Sequence, residues 1–156
     1  RPVCGELNLT ERFEKIRREV LGRPRDKFEL RKEVADMRER MRTQLLTRED
    51  GIFDLKQDVA GMVDIEFLVQ YLVLLKSHEY PELLQWTDNV RLLQTLIETG
   101  VLDENTAHIL KHAYLIYRAA AHQLSLQEKP AKVSLEKFGP MRARVREICR
   151  AFFESG

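Results

Sequence analysis

The 156-residue sequence is short of structural punctuation. Seven glycines and five prolines are too few for a sandwich or barrel, which needs a turn signal every ~8 to 12 residues, and an all-β fold is thereby excluded. Cysteine is equally scarce. Cys4 and Cys149 make no disulfide framework for a chain of this size and stand in no metal-ligand spacing such as CxxC, which points to a reduced, cytoplasmic protein. The longest apolar stretch, Ile65 to Leu75, is interrupted by Glu66 and Gln70 and falls well short of the ~20 residues of a bilayer-spanning helix, so neither a span nor a signal peptide is read. A surplus of one charge sign is also missing, since 26 Lys+Arg face 25 Asp+Glu; with 44% hydrophobic residues, disorder is excluded too. The length fits one domain with one core.

The balance of charge is local as well as global. Residues 11–50 carry 13 basic and 10 acidic side chains, 51–128 carry 5 and 11, and 129–156 carry 7 and 3. The basic tail, with Arg142, Arg144, Arg146 and Arg150, has no interleaved aromatic platform on which bases could stack, and it reads as the solvated face of a helix rather than a nucleic-acid surface.

What the sequence does have is helical periodicity. Asn8 and Glu11 have the spacing of a capping box ahead of Phe13, Ile16 and Val20, and Gly22 and Pro24 stop that helix. Asp26 and Glu29 cap a second, with the stripe Leu30, Val34, Met37, Met41 and Leu45 and dense charge elsewhere, which places it on the surface of a bundle. Residues 51–61 have no stripe and read as a loop. Residues 63–76 are apolar nearly all round, as a central helix would be. Trp86 is expected to anchor the connection that follows. Asp88 caps a short helix through Val90, Leu93 and Leu96 to Gly100, and Asp103 a long one with Ala107, Leu110, Tyr114, Tyr117, Ala121 and Leu124. Gly139-Pro140 precedes a last helix with Met141, Val145, Ile148 and Phe152. The expected fold is all-α: a single bundle of about six helices and no strand, with Leu30, Val34, Met37, Met41, Phe67, Leu68, Tyr71, Leu72, Leu110, Tyr114, Tyr117 and Val145 in its core.

Unusual residues concentrate before the central helix: Asp54, Lys56, Asp58, Gly61, Asp64 and Glu66. A glycine that lets backbone approach a ligand, free first-turn amides and a lysine would together suit an anion. Asp64 and Glu66 point about 200° apart on a helix and cannot share one ligand; the bland alternative is an acidic first turn favoured by the helix dipole. His108 and His112 stand four apart, without a third ligand or an HExxH glutamate, and read as solvent-facing. Tyr114 and Tyr117 read as core aromatics. There is no GxxxxGK[ST] loop, no GxSxG elbow and no cysteine beside a base, so a self-sufficient active site is not encoded.

The run Asp54-Leu55-Lys56-Gln57-Asp58-Val59-Ala60-Gly61-Met62-Val63-Asp64-Ile65-Glu66-Phe67 resembles the D-(I/L)-K-x-x-x-G-G-(I/M)-x-D-I-E-F signature of the bacterial glutamine synthetase adenylyltransferase/adenylyl-removing enzymes. Trp86-Thr87-Asp88-Asn89-Val90-Arg91 is similar to their W-(S/T)-D-N-V-R, Ala113-Tyr114 with Arg118 to A-Y-x-x-x-R, and Leu124 to Glu128 to L-x-L-Q-E. One position departs: Ala60 stands where the signature has its first glycine.

The resemblance implies a helical domain that follows a nucleotidyltransferase domain, here in the adenylylating half of the enzyme, where AMP passes from ATP to a tyrosine of glutamine synthetase in nitrogen regulation. The family's G-S and paired-aspartate catalytic motif is absent. A chain opening on Arg1-Pro2-Val3-Cys4-Gly5 then reads as a piece of something longer, with residues 1–8 a linker from an upstream catalytic domain and 9–156 the bundle. The resemblance further implies ATP and magnesium for the intact enzyme and no cofactor in this part. Its partners would be the upstream domain, glutamine synthetase and a PII-type signal protein. Lys56, Gly61, Asp64 and Glu66 would lie near nucleotide or substrate; Asp54, Trp86, Asp88, Asn89, Arg91 and Arg118 would be structural or at an interface. A pure interaction module holding glutamine synthetase or PII, or an unrelated helical scaffold, stands as the alternative.

Overall fold

A computed structural model describes residues 6–45, without the Leu45 side chain, and 49–154. Six α-helices dominate the described residues: α1 (Leu7–Leu21), α2 (Lys27–Leu45), α3 (Met62–Lys76), α4 (Asn89–Glu98), α5 (Glu104–Leu126) and α6 (Leu135–Phe153), with a 3-10 turn at Pro81–Leu84. Helix α3 lies at the centre and packs against α2, α4, α5 and α6. Its all-round apolar sequence is what such a position requires, and Ile65, Leu68, Val69 and Tyr71 are almost completely covered.

Three of the six described helices, α2, α4 and α5, start at the expected aspartate caps. Asp26 accepts from the amides of Phe28 and Glu29, Asp88 from Arg91 N at 3.0 Å and Asp103 from Thr106 N at 2.9 Å. Gly100 ends α4 with φ +70°, the left-handed conformation glycine adopts without strain. The first helix differs from expectation. It begins at Leu7 with Glu6 as N-cap and no side-chain cap bond, so the Asn8–Glu11 box is not used.

Residues 51–61 also depart from the expected exposed loop. They open with a strand, β1 (Ile52–Asp54), paired antiparallel with β2 (Lys132–Ser134) in the register Ile52↔Ser134, Phe53↔Val133, Asp54↔Lys132. Phe53, Leu55 and Ala60 are completely buried. Phe53 meets Tyr117 edge-on at 5.4 Å between centroids and Phe138 at 6.3 Å, an aromatic cluster that ties the ribbon to α5 and α6. Helix α6 accordingly begins five residues before Pro140, not after it, because Phe138 is needed inside. Pro140 falls at the sixth helical position, where its missing N–H leaves only the Glu136 carbonyl, at an exposed residue, without a helical donor.

Of the expected core, Leu30, Leu68, Tyr71, Leu72, Leu110, Tyr114, Tyr117 and Val145 are buried. Val34, Met41 and Phe67 are half-buried, and Met37 is 52% exposed. Helix α2 is rotated from the expected stripe, and Arg38 takes the inward position instead of Met37, at 5% exposure. Trp86 is 37% exposed; Arg91 stacks over its ring at 4.3 Å, where anchorage in the bundle was expected.

Candidate functional site

The segment from β1 into α3 satisfies itself. Asp54 folds its carboxylate back on the amides of Lys56 and Gln57, at 2.8 and 2.9 Å, and Asp58 accepts from Asp54 N at 2.9 Å. The chain then turns so that the Met62 amide donates to Leu55 O and the Val63 amide to Lys56 O. These are first-turn amides of α3, the donors an external anion would need, and loop carbonyls take them. Gly61 is buried, and a Cβ there would meet the carbonyl oxygens of Leu55, Lys56 and Asp58, each at 3.0 Å. Its smallness serves this internal packing. Ala60, beside it, has φ +64°, so the glycine of the resembling signature corresponds to a backbone conformation that glycine adopts readily.

Asp64, in the first turn of α3, is 6% exposed and is the node of the segment. Arg38 Nε donates to its Oδ1 at 2.5 Å, Arg42 Nη2 lies 3.3 and 3.4 Å from its two oxygens, and the Ala60 amide donates to Oδ2 at 2.6 Å. Arg38 Nη2 also donates to Gln57 O and Arg142 Nε to Val59 O, so guanidinium groups from α2 and α6 clamp both sides of the loop. The buried carboxylate is matched and hydrogen-bonded by this set, while Arg38 Nη1 and Arg42 Nε are buried without a hydrogen-bond partner. Of residues 54–61, Lys56 alone is exposed.

Glu66 faces away, as the helical geometry requires. Tyr114 Oη donates to Glu66 Oε1 at 2.9 Å and accepts from Asn89 Nδ2 at 3.3 Å, joining α3, α4 and α5 in one chain of hydrogen bonds. Burial pushes the Tyr114 hydroxyl above its ordinary pKa; the Asn89 bond opposes this, Glu66 adds to it, and the charge of exposed Arg118 opposes it. Asp88 caps α4 and pairs with Arg91 at 3.6 Å. The residues singled out in the sequence thus separate into two clusters on opposite sides of α3. Asp54, Lys56, Gly61 and Asp64 form one; Glu66, Asn89 and, through Tyr114, Arg118 form the other, with the Trp86–Arg91–Asp88 group close by in sequence.

Arg38, Arg42 and Arg142 are the site residues that sequence reading missed. Arg38 stands four residues from Val34 and three from Met41, so a stripe through it has the same 3,4 spacing as one through Met37, and periodicity favours the apolar residue. Between α2 and α6 these helices leave a cleft of about 410 Å³ lined by Arg38, Arg42, Phe67, Arg146, Cys149 and Arg150 among others. Burial, with Asp64 adding and Arg42 and Arg38 opposing, pushes the Cys149 thiol up to about 12, so it stays protonated and unreactive. Among the described residues, no group of three or more His, Cys, Asp or Glu side chains is placed to hold a metal ion. Asp54, Asp58 and Asp64 are turned to amides and guanidinium groups, and they do not fit a magnesium site. His108 and His112 are exposed. Among the described residues no helix is long and apolar enough to cross a membrane.

Comparison with known proteins agrees with the motif-level likeness. The chain is 44% identical over all 156 residues to a bifunctional glutamine synthetase adenylyltransferase/adenylyl-removing enzyme of Thioalkalivibrio sulfidiphilus (strain HL-EbGR7). It is 40% identical over 148 residues, 95% of its length, to the enzyme of the same name from Mannheimia haemolytica. It spans only 16% and 15% of those two relatives. The family described as GlnD PII-uridylyltransferase matches residues 29–152, from the start of α2 almost to the end of α6. The chain therefore belongs to the GlnD PII-uridylyltransferase family, in a helical stretch that it shares with the bifunctional glutamine synthetase adenylyltransferases.

Proposed function

We propose that this chain is the helical domain of the adenylylating half of a glutamine synthetase adenylyltransferase, and that it supports transfer of AMP from ATP to a tyrosine of glutamine synthetase without carrying the reacting groups. The observation that carries the reading is the 44% identity along the whole chain to an enzyme of that name. The geometry adds a division of labour. The signature carboxylates Asp54, Asp58 and Asp64 are consumed in holding their own segment rigid, while Lys56 projects from that frame as a single cation. Such a charge, fixed on a braced turn, suits a phosphate group or an acidic patch of the protein substrate brought beside it. ATP and magnesium would be held by residues outside this chain, since the carboxylates present here are committed elsewhere.

The test is direct. The chain incubated with labelled ATP, magnesium and glutamine synthetase should leave glutamine synthetase unlabelled, while a longer polypeptide containing the catalytic motif labels it; labelling by the chain alone would overturn the reading. Membership of the PII-uridylyltransferase family favours a second one, in which this domain holds a PII-type protein. In that case the exposed charges of α2 and α6 should govern binding of PII to the chain, and Lys56 should not.

A further inference from the structure

Helix α1 is mounted on the bundle by the wrong edge for its sequence. Its residues with partial cover are Thr10, Glu14, Arg17 and Leu21, which recur at i, i+4, i+7 and i+11 and so share one edge of the helix. That edge is where the bundle is: Arg17 Nη1 donates to the Leu84 carbonyl at 2.7 Å, and Ser77 Oγ donates to Leu21 O at 2.7 Å. The apolar stripe lies one residue behind each of these, at Leu9, Phe13, Ile16 and Val20, and is therefore turned about 100° away. Those four side chains are 57%, 44%, 57% and 43% exposed, and α1 contains no buried residue. An amphipathic helix normally gains its stability by burying its stripe, yet here the polar edge is fixed and the stripe is offered outward.

We infer that the Leu9–Phe13–Ile16–Val20 face of α1 is a docking surface for an adjoining domain of the same, longer polypeptide. Size decides between occupants. Four half-exposed side chains offer on the order of a few hundred Å², well below the roughly 800 Å² per partner that a stable pair of free chains buries. A second copy is thus poorly served. A domain tethered in cis meets the patch at an effective concentration in the millimolar range, so a small interface suffices to keep it docked. Material for such a domain is available, because the chain spans 16% of its 44%-identical relative. The inference rests on the proposed reading of this chain as one domain of a larger nucleotidyltransferase, and adds the face by which it meets its neighbour.

Hydrogen exchange of the α1 amides, compared between the 156-residue chain and the longer polypeptide, tests the inference without reference to adenylylation. Exchange through α1 should slow at least ten-fold in the longer polypeptide, and the double variant Phe13→Asp, Ile16→Asp should abolish that slowing. In the chain by itself the same variant should leave the melting temperature within about 2 °C, as expected for side chains already exposed. Equal exchange in the two proteins would overturn the inference. So would sedimentation showing that the chain alone dimerises and that the double variant makes it monomeric, since the occupant would then be a second copy. An enzyme that transfers no AMP, yet still protects α1, would instead count against the functional reading only.

Discussion

Asp64 carries a charge inside a helix that is otherwise apolar almost all round. It accepts from Arg38, Arg42 and the Ala60 amide, and removing it leaves two guanidinium groups facing each other in a poorly hydrated site. Asp64→Ala should therefore cost about 3 to 5 kcal/mol in urea unfolding, whereas Lys56→Ala, at an exposed position, should change stability by less than about 0.5 kcal/mol. Composition alone suggested a solvated acidic first turn at Asp64, because the helix dipole explains such a residue without any partner. The partners were legible only as charged residues on α2; nothing local distinguishes a buried arginine from an exposed one, and the run Arg38-Glu39-Arg40 looks like surface. Cys149 gives an independent check on the same cleft. With its thiol pushed up to about 12, Cys149 should resist alkylation by iodoacetamide at pH 8 in the folded chain and react once urea unfolds it.

Elements were legible in proportion to how much of their stability is local. The all-round apolar run of α3 and the stripes and caps of α4 and α5 are each local in the sequence, and their positions follow from it. The β1–β2 ribbon joins three-residue strands separated by nearly eighty residues, too short for an alternating pattern and too far apart for a turn signal, so residues 51–61 read as loop. The start of α6 was obscured by Gly139-Pro140, a pair that ordinarily ends or precedes a helix, while the demand that sets it further back, Phe138 against Phe53 and Tyr117, is tertiary. The same ribbon explains the tight turn into α3. Gly61→Ala should cost about 1 to 3 kcal/mol by forcing a methyl against three carbonyl oxygens, even though the backbone dihedrals at Gly61 suit alanine. The comparable change at Gly139, where a Cβ meets nothing within 4 Å, should destabilise far less.

At the scale of the whole molecule, burial makes several groups resist ionisation, Tyr117 and Cys149 most strongly, and the sign of their effect on stability follows. Burial pushes the Tyr117 hydroxyl up to about 12, with Arg142 opposing, and Cys149 likewise up to about 12. For each, the folded chain keeps a proton that the unfolded chain releases at lower pH, so stability is intact below about pH 8 and declines as pH rises through the ordinary thiol and phenol ranges towards 12. Urea midpoints should fall steadily from pH 9 to 12, and Cys149→Ser should remove the earlier part of that fall. The larger claim is that the bundle braces a turn from which Lys56 acts on a reaction whose chemistry lies elsewhere. It is tested most directly by the rate of AMP transfer to glutamine synthetase by the longer polypeptide carrying Lys56→Ala, measured at saturating ATP and glutamine synthetase beside the urea midpoint of the same variant. The account predicts a rate lower by about ten-fold or more, equivalent to ~1.4 kcal/mol, at an unchanged midpoint. An unchanged rate would contradict it and leave the segment a structural role alone.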